Sequence, residues 1–136
     1  MRTGMNRPGL FRTVADDALG FGQGARFQPK AVADWLDFSR DEVSRIASVA
    51  KSSVRWDESI PKQVQERLEE IGNVANMVAG IFDGDRAKTA LWFRTKNPML
   101  GDASPRDMVR LGRYERLRKF VVSAISDRAA EERVQN

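Results

Sequence analysis

The 136-residue sequence contains no cysteine and no histidine. These absences exclude a disulfide framework, a zinc site with sulfur or imidazole ligands, a cysteine nucleophile and any catalytic triad with histidine as its base. No run of 18 apolar residues occurs, so we expect no membrane-spanning helix. The first residues are not followed by the apolar segment of a signal peptide, and we therefore expect a cytoplasmic protein.

Charged residues are plentiful, and 23 Lys and Arg stand against 19 Asp and Glu, a net charge of +4 that favours anionic partners. Carboxylates remain as possible catalytic groups, but their spacing argues against that role. Asp83 and Asp85 flank a glycine in a predicted turn, and Glu69 and Glu70 point about 100° apart on a helix. We therefore expect no enzymatic activity, no metal and no cofactor.

The apolar residues recur with the period of a helix, and no alternating strand pattern is present, so the sequence predicts an all-α fold. Pro29 suits the first turn of one helix, and Ser39 with Glu42 forms the capping box of the next. A short third helix is predicted from Ala50 to about Trp56. A long helix follows Pro61, and its apolar stripe could belong to the core or to a dimer interface; it comprises Val64, Leu68, Ile71, Ala75, Val78 and Phe82.

Composition divides the chain into three regions. Residues 1–27 hold half of the ten glycines and predict a flexible arm. Residues 28–83 are predicted to form a helix-turn-helix region with the long helix, and residues 84–136 a small C-terminal helical domain. In that last region Met108 and Leu111 are expected to face inward.

The segment from Phe38 to Val54 fits the spacing of a helix-turn-helix. The motif needs a small residue at its fifth position, another at the turn four residues later and a branched aliphatic residue six further on. Ser44, Ser48 and Val54 occupy these positions. The start of the second helix would then face a DNA groove, where Lys and Ser can bind phosphates and Arg can read guanine edges. These candidate DNA contacts are Lys51, Ser52, Ser53 and Arg55. An ordinary helical hairpin with solvated charges is the alternative interpretation.

A basic cluster lies farther along the chain. Between Arg94 and Lys119, eight Lys and Arg stand against three Asp and Glu, and this local excess of five exceeds the net charge of the whole chain. Such a cluster could bind DNA or an acidic protein surface, or it could be a solvated face.

A pattern of turn and cap residues overlaps this cluster, running from Leu91-Trp92 through Asn97-Pro98 and Leu100-Gly101 to Ser104-Pro105. Its composition predicts core aromatic residues, a fixed turn and a helix start. The pattern also resembles the C-terminal toxin-binding domain of the Xre/MbcA/ParS antitoxin family. The resemblance covers about Leu91 to Ile125, and the helix-turn-helix region occupies the place of that family's Xre-like half.

The resemblance implies a type II antitoxin without catalysis of its own. Its C-terminal half would bind a RES-domain toxin, an enzyme that consumes NAD, and occlude the active site, while the Xre-like half would bind operator DNA and repress the operon. By this analogy Arg110, Arg113 and Tyr114, at the junction of two helices, are candidate toxin contacts. DNA readers of this kind bind inverted half-sites as dimers, so we expect a homodimer within a toxin–antitoxin complex.

Two other interpretations remain open at the sequence level. One is a stand-alone helix-turn-helix transcriptional regulator whose second half serves oligomerisation. The other is a toxin-binding module whose helix-turn-helix has lost DNA binding.

Overall fold

The computed structural model describes residues 17–23 and 26–135 of the chain. This part is predominantly helical, and its strands are two residues long, which confirms the all-α class. Among these residues no helix combines the length and the apolar character needed to cross a membrane. The helices are α1 (Pro29–Trp35), α2 (Arg40–Ala47), α3 (Lys62–Ile81), α4 (Arg86–Arg94), α5 (Pro105–Arg110) and α6 (Tyr114–Gln135), and 3-10 turns cover Lys51–Ser53 and Pro98–Leu100.

The described residues before α1 pack into the core, which corrects the prediction of a flexible arm through residue 27. Strand β1 (Gly22–Gln23) pairs antiparallel with β2 (Arg26–Phe27). The side chains of Leu19 and Phe21 are 3% and 1% exposed, and Phe27 is also buried. Burial of three large apolar side chains outweighs the conformational entropy of the neighbouring glycines. Residues 1–16, the greater part of the predicted arm, lie outside the described residues.

Hydrogen bonds attach this segment, which we call the N-terminal strap (residues 17–23 and 26–27), to α3. The Asn76 side chain accepts a hydrogen bond from the Leu19 backbone N–H (3.1 Å) and donates one to the Asp17 carboxylate (3.0 Å). That carboxylate also accepts from the backbone N–H groups of Phe21 and Gly22. The buried amide is therefore satisfied, and the strap is fixed in one position.

The predicted starts of α1 and α2 are confirmed. Pro29 occupies the first turn of α1. At α2 the Ser39 Oγ accepts from the Glu42 N–H (3.1 Å), and the Glu42 carboxylate accepts from the Ser39 N–H (2.9 Å), which completes the capping box.

The helix predicted from Ala50 to Trp56 is wrong. Only the 3-10 turn Lys51–Ser53 forms there, and Val54 then has an extended backbone. Two serines and a β-branched valine are weak helix formers. The Arg40 guanidinium also donates to the Val54 carbonyl (2.6 Å), and the valine side chain is fully buried, so tertiary contacts hold this residue outside a helix.

The apolar stripe of α3 lies in the core of this chain, which answers the question left open by the sequence. Its members from Val64 to Val78 are buried, whereas Phe82 at the end of the helix is half-buried. At Gly72 the helix approaches its neighbours so closely that an added Cβ would lie 3.0 Å from Val32 and 3.2 Å from Phe21.

Helices α4 to α6 continue this same core across the predicted boundary between residues 83 and 84. Phe93 of α4 is fully buried, and its ring meets that of Trp35 from α1 edge to face at 5.2 Å between centroids. Met108 and Leu117 join the same cluster of buried side chains. Residues 83 and 84 therefore lie in a turn between two helices that share one core.

Candidate functional site

The turn-and-cap pattern between α4 and α5 builds a fixed corner. The Asn97 side chain accepts from the Met99 N–H (2.9 Å), and the Asn97 N–H donates to the Ala103 carbonyl (3.1 Å). Gly101 has a φ of 72°, which glycine adopts without strain. Ser104 caps α5 through the Asp107 N–H. The predicted turn and helix start are thus confirmed, and the corner presents the Met99 side chain 72% exposed.

Several arginines of the basic cluster are used inside the molecule. Arg106 donates to the backbone carbonyls of Leu36 (2.5 Å) and Asp37 (2.7 Å), and its guanidinium lies 5.1 Å from the Phe38 ring centroid. Arg94 donates to the Trp35 carbonyl (3.0 Å). These two side chains bind the C-terminal helices to the end of α1, so part of their hydrogen-bonding capacity is already used inside the molecule.

Other basic residues of the cluster face solvent. Arg113, Arg116 and Lys119 are exposed, and their side chains make no hydrogen bond or ion pair with another residue in the part of the chain that the structure describes. Arg116 and Lys119 are three residues apart on α6, so their Cβ atoms are neighbours on one face of the helix. Leu111, just before α6, is 55% exposed. We call Leu111, Arg113, Arg116 and Lys119 the basic surface.

Tyr114, a predicted toxin contact, is a core residue, and this corrects the prediction. Its side chain is 4% exposed, and its hydroxyl donates to the Glu70 backbone carbonyl (3.3 Å). The Arg67 guanidinium lies 5.2 Å from the ring centroid. Burial raises the pKa of the tyrosine hydroxyl above its ordinary value. A side chain enclosed in this way has almost no surface for a partner.

The other two predicted toxin contacts differ in exposure. Arg110 is half-buried and its Nε lies 3.2 Å from the Asp107 carboxylate within α5. Arg113 is exposed and belongs to the basic surface. Arg113 therefore remains a candidate contact, whereas Arg110 is held in an ion pair with Asp107.

Burial also raises the pKa of Glu70, which lies on α3 where the Tyr114 hydroxyl bonds its backbone carbonyl. Desolvation is the larger effect, and the nearby Arg67 guanidinium, 2.9 Å away, opposes it. Glu70 and Arg67 therefore form a half-buried pair that supports Tyr114 at the start of α6.

The four predicted DNA contacts lie together but not on a helix. Lys51, Ser52 and Arg55 are exposed, Ser53 is half-buried, and Arg55 is 3.6 Å from the Asp57 carboxylate. Because only a 3-10 turn forms here, this segment is too short to fill a major groove as a recognition helix does.

Sequence reasoning missed two features of the candidate site. Leu111 was expected to face inward like Met108, but it is exposed because it stands just after α5, where the chain turns toward α6. Arg116 and Lys119 were counted in the basic cluster without being selected, although their spacing of three residues already indicated a shared helix face.

The described residues contain no group of three or more Asp or Glu side chains that could hold a metal ion. A scan against models of protein families, a search of curated proteins and a search of solved structures each found no match to this chain.

Proposed function

We propose that this protein is the antitoxin of a type II toxin–antitoxin system, and that the basic surface together with the corner before α5 binds and occludes a RES-domain toxin. One observation carries the proposal. The segment that resembles the antitoxin family contains a fixed corner, and farther along it Arg113 and the α6 residues Arg116 and Lys119 are exposed basic side chains without partners among the described residues, and the nearby Leu111 is also exposed. Charge at the rim and apolar area at the centre are typical of protein interfaces.

Operator binding is the second part of the proposal. Ser48 adopts the left-handed conformation (φ 58°) that the turn of a helix-turn-helix requires, and Lys51 and Arg55 are exposed beyond it. On a 3-10 turn and just after it, these side chains are suited to phosphate contacts rather than to reading bases from within a groove. A homodimer would place two such segments on inverted half-sites.

The test is a charge reversal of the basic surface. The variant Arg113→Glu/Arg116→Glu/Lys119→Glu should weaken binding to a co-expressed RES toxin by about 100-fold or more, because like charges facing each other across an interface cost several kcal/mol. Isothermal titration with the purified toxin, and the NAD content of cells expressing the pair, measure the loss.

A matched control reverses three exposed charges elsewhere, in Lys62→Glu/Lys88→Glu/Arg133→Glu. It should neutralise the toxin like the wild type. Equal affinities of the two variants would refute the assignment of the basic surface, and a toxin that stays active when saturated with the wild-type protein would refute occlusion. A stand-alone transcriptional regulator would bind operator DNA without binding any toxin.

A further inference from the structure

A cavity of about 470 Å³ lies between the end of the N-terminal strap, the start of α1 and the loop that leads into α3. This volume falls within the range of about 300–1,000 Å³ that is typical of small-molecule sites. The wall is partly apolar, since Trp56 and Ile60 line the cavity and are both half-buried. No residue of the basic surface lines it, so the cavity is a separate candidate site.

Two polar side chains reach the cavity from the extended segment that leads into α1. Arg26 and Gln28 both line it, and they share one face of the segment because successive side chains of an extended chain point to opposite faces. Arg26 is exposed and forms no ion pair with any residue that the structure describes. The half-buried Gln28 amide likewise forms no side-chain hydrogen bond with them. A guanidinium and an amide therefore remain available to a ligand.

The loop before α3 adds a carboxylate to the same cavity. Glu58 lines the cavity, is exposed and has no ion pair within the described part of the chain. The other two charged groups of the lining are already engaged. Asp57 lies 3.6 Å from Arg55, and Lys30 lies 3.0 Å from Asp34. One cation and one anion, from different elements, are thus left for a ligand.

The free charges and the apolar wall together select a class of ligand. A ligand with negative charge alone would be repelled by the Glu58 carboxylate, and one with positive charge alone by the Arg26 guanidinium. A zwitterion pairs with both groups. An apolar group attached to it would be removed from water against Trp56 and Ile60.

We propose that this cavity binds a small zwitterion that carries an apolar group, as apolar amino acids and dipeptides with free termini do. Arg26 binds the carboxylate, Glu58 binds the ammonium group, and Trp56 covers the apolar group. This binding requires neither toxin nor DNA, so it can be tested separately from the antitoxin proposal.

A nuclear magnetic resonance titration of the full chain with L-phenylalanine and with leucyl-phenylalanine tests the site. The chain has three tryptophans, and Trp35 and Trp92 do not line the cavity, so their indole N–H signals are internal controls. At least one of the two compounds should shift the Trp56 signal saturably, with a millimolar dissociation constant that is typical of so small a ligand. The variant Trp56→Phe assigns the signal.

Analogues that lack one charge separate the two ends of the ligand. The acetylated form of each compound keeps only the carboxylate, and the amide form keeps only the ammonium group. Each should bind about 5-fold or more weakly than the parent compound, because one ion pair is lost. Glycine has both charges but no apolar group, and it should bind at least about 10-fold more weakly than phenylalanine.

Two substitutions assign the charges to residues. Arg26→Gln should bind the parent compound and its amide equally, and Glu58→Gln should bind the parent compound and its acetylated form equally. Arg45→Gln and Glu131→Gln change exposed charges outside the cavity and should keep the wild-type preference. Equal shifts of all three indole signals, no shift of the Trp56 signal by either compound, one-charge analogues that bind as tightly as their parents, or Arg26 and Glu58 variants with the wild-type preference would each overturn the proposal.

Discussion

At the scale of single residues, the arginines of the C-terminal half divide by what their guanidinium groups bind. Arg106 and Arg94 donate to carbonyls that lie 70 and 59 residues earlier in the chain. Arg113 and Arg116 have no such acceptor among the described residues. A count of charges in the sequence detects the positive excess but cannot separate these two groups, because the acceptors are backbone atoms brought close only by folding.

The assignment of Tyr114 to the core predicts different outcomes for two neighbouring substitutions. Tyr114→Phe removes the hydrogen bond to the Glu70 carbonyl and should lower the free energy of unfolding by about 1 kcal/mol, with toxin affinity unchanged. Arg113→Ala should weaken toxin binding and change stability by less than about 0.5 kcal/mol. Urea denaturation and titration calorimetry on both variants measure the two effects. A loss of toxin affinity in a Tyr114→Phe protein of wild-type stability would restore Tyr114 as a contact.

The raised pKa of Glu70 predicts a pH dependence of stability. As the pH rises above 4.5, the ordinary value for this carboxyl group, the unfolded chain loses its proton before the folded chain does. The contribution of Glu70 to stability is therefore full at lower pH and is lost as the pH rises through the higher pKa of the folded state. Glu70→Gln should remove this decline, as measured by urea unfolding at a series of pH values.

Arg67→Ala provides the complementary test of the same pair. It removes the positive charge that opposes the effect of burial, so the decline of stability with rising pH should become steeper. A wild-type pH profile in both variants would mean that the Glu70 carboxyl group is solvated like an exposed one.

At the scale of secondary structure, local signals predicted the helices that carry them and failed where tertiary contacts decide. The Ser39 capping box and the apolar stripe of α3 depend on residues close together in the sequence, and both were predicted. The segment after Ser48 has weak helix formers and is shaped by the Arg40 contact to Val54, which no local pattern shows. In the N-terminal strap the glycine content predicted flexibility, although Leu19, Phe21 and Phe27 pack into the core.

Two glycines of α3 provide a matched pair of substitutions that tests the contact between α3 and the strap. Gly72→Ala should lower the free energy of unfolding by about 1–3 kcal/mol, since the methyl group would press on Val32 and Phe21. Gly80→Ala, on the same helix with open space around it, should raise it by about 0.5–1 kcal/mol. Thermal and urea denaturation compare the two, and an equal effect of both would show that the strap does not pack on α3 as described.

At the scale of the whole molecule, the segment of residues 51–55 and the basic surface belong to different elements around one shared core, so substitutions should separate the two proposed activities. Lys51→Ala/Arg55→Ala should strongly weaken the operator shift in a gel assay while sparing toxin neutralisation. Losing two phosphate contacts should also reduce the slope of log affinity against log salt by about 2.

The control for DNA binding is Lys62→Ala/Arg133→Ala, which removes the same charge from other helices and should retain the operator shift. Unchanged operator binding by the Lys51 and Arg55 variant would place the DNA contact elsewhere on the protein.

The position of the N-terminal strap imposes an order on folding during synthesis. Leu19 is bound through Asn76, a residue 57 positions later, and at ribosomal rates of about 5–20 residues per second that residue is added several seconds after Leu19. Until α3 has left the ribosome, the apolar side chains of the strap can contact α1, as Phe21 contacts Trp35, but lack the surface of α3. The strap is thus completed only after α3 has been synthesised, and until then the surface that it buries against α3 remains uncovered.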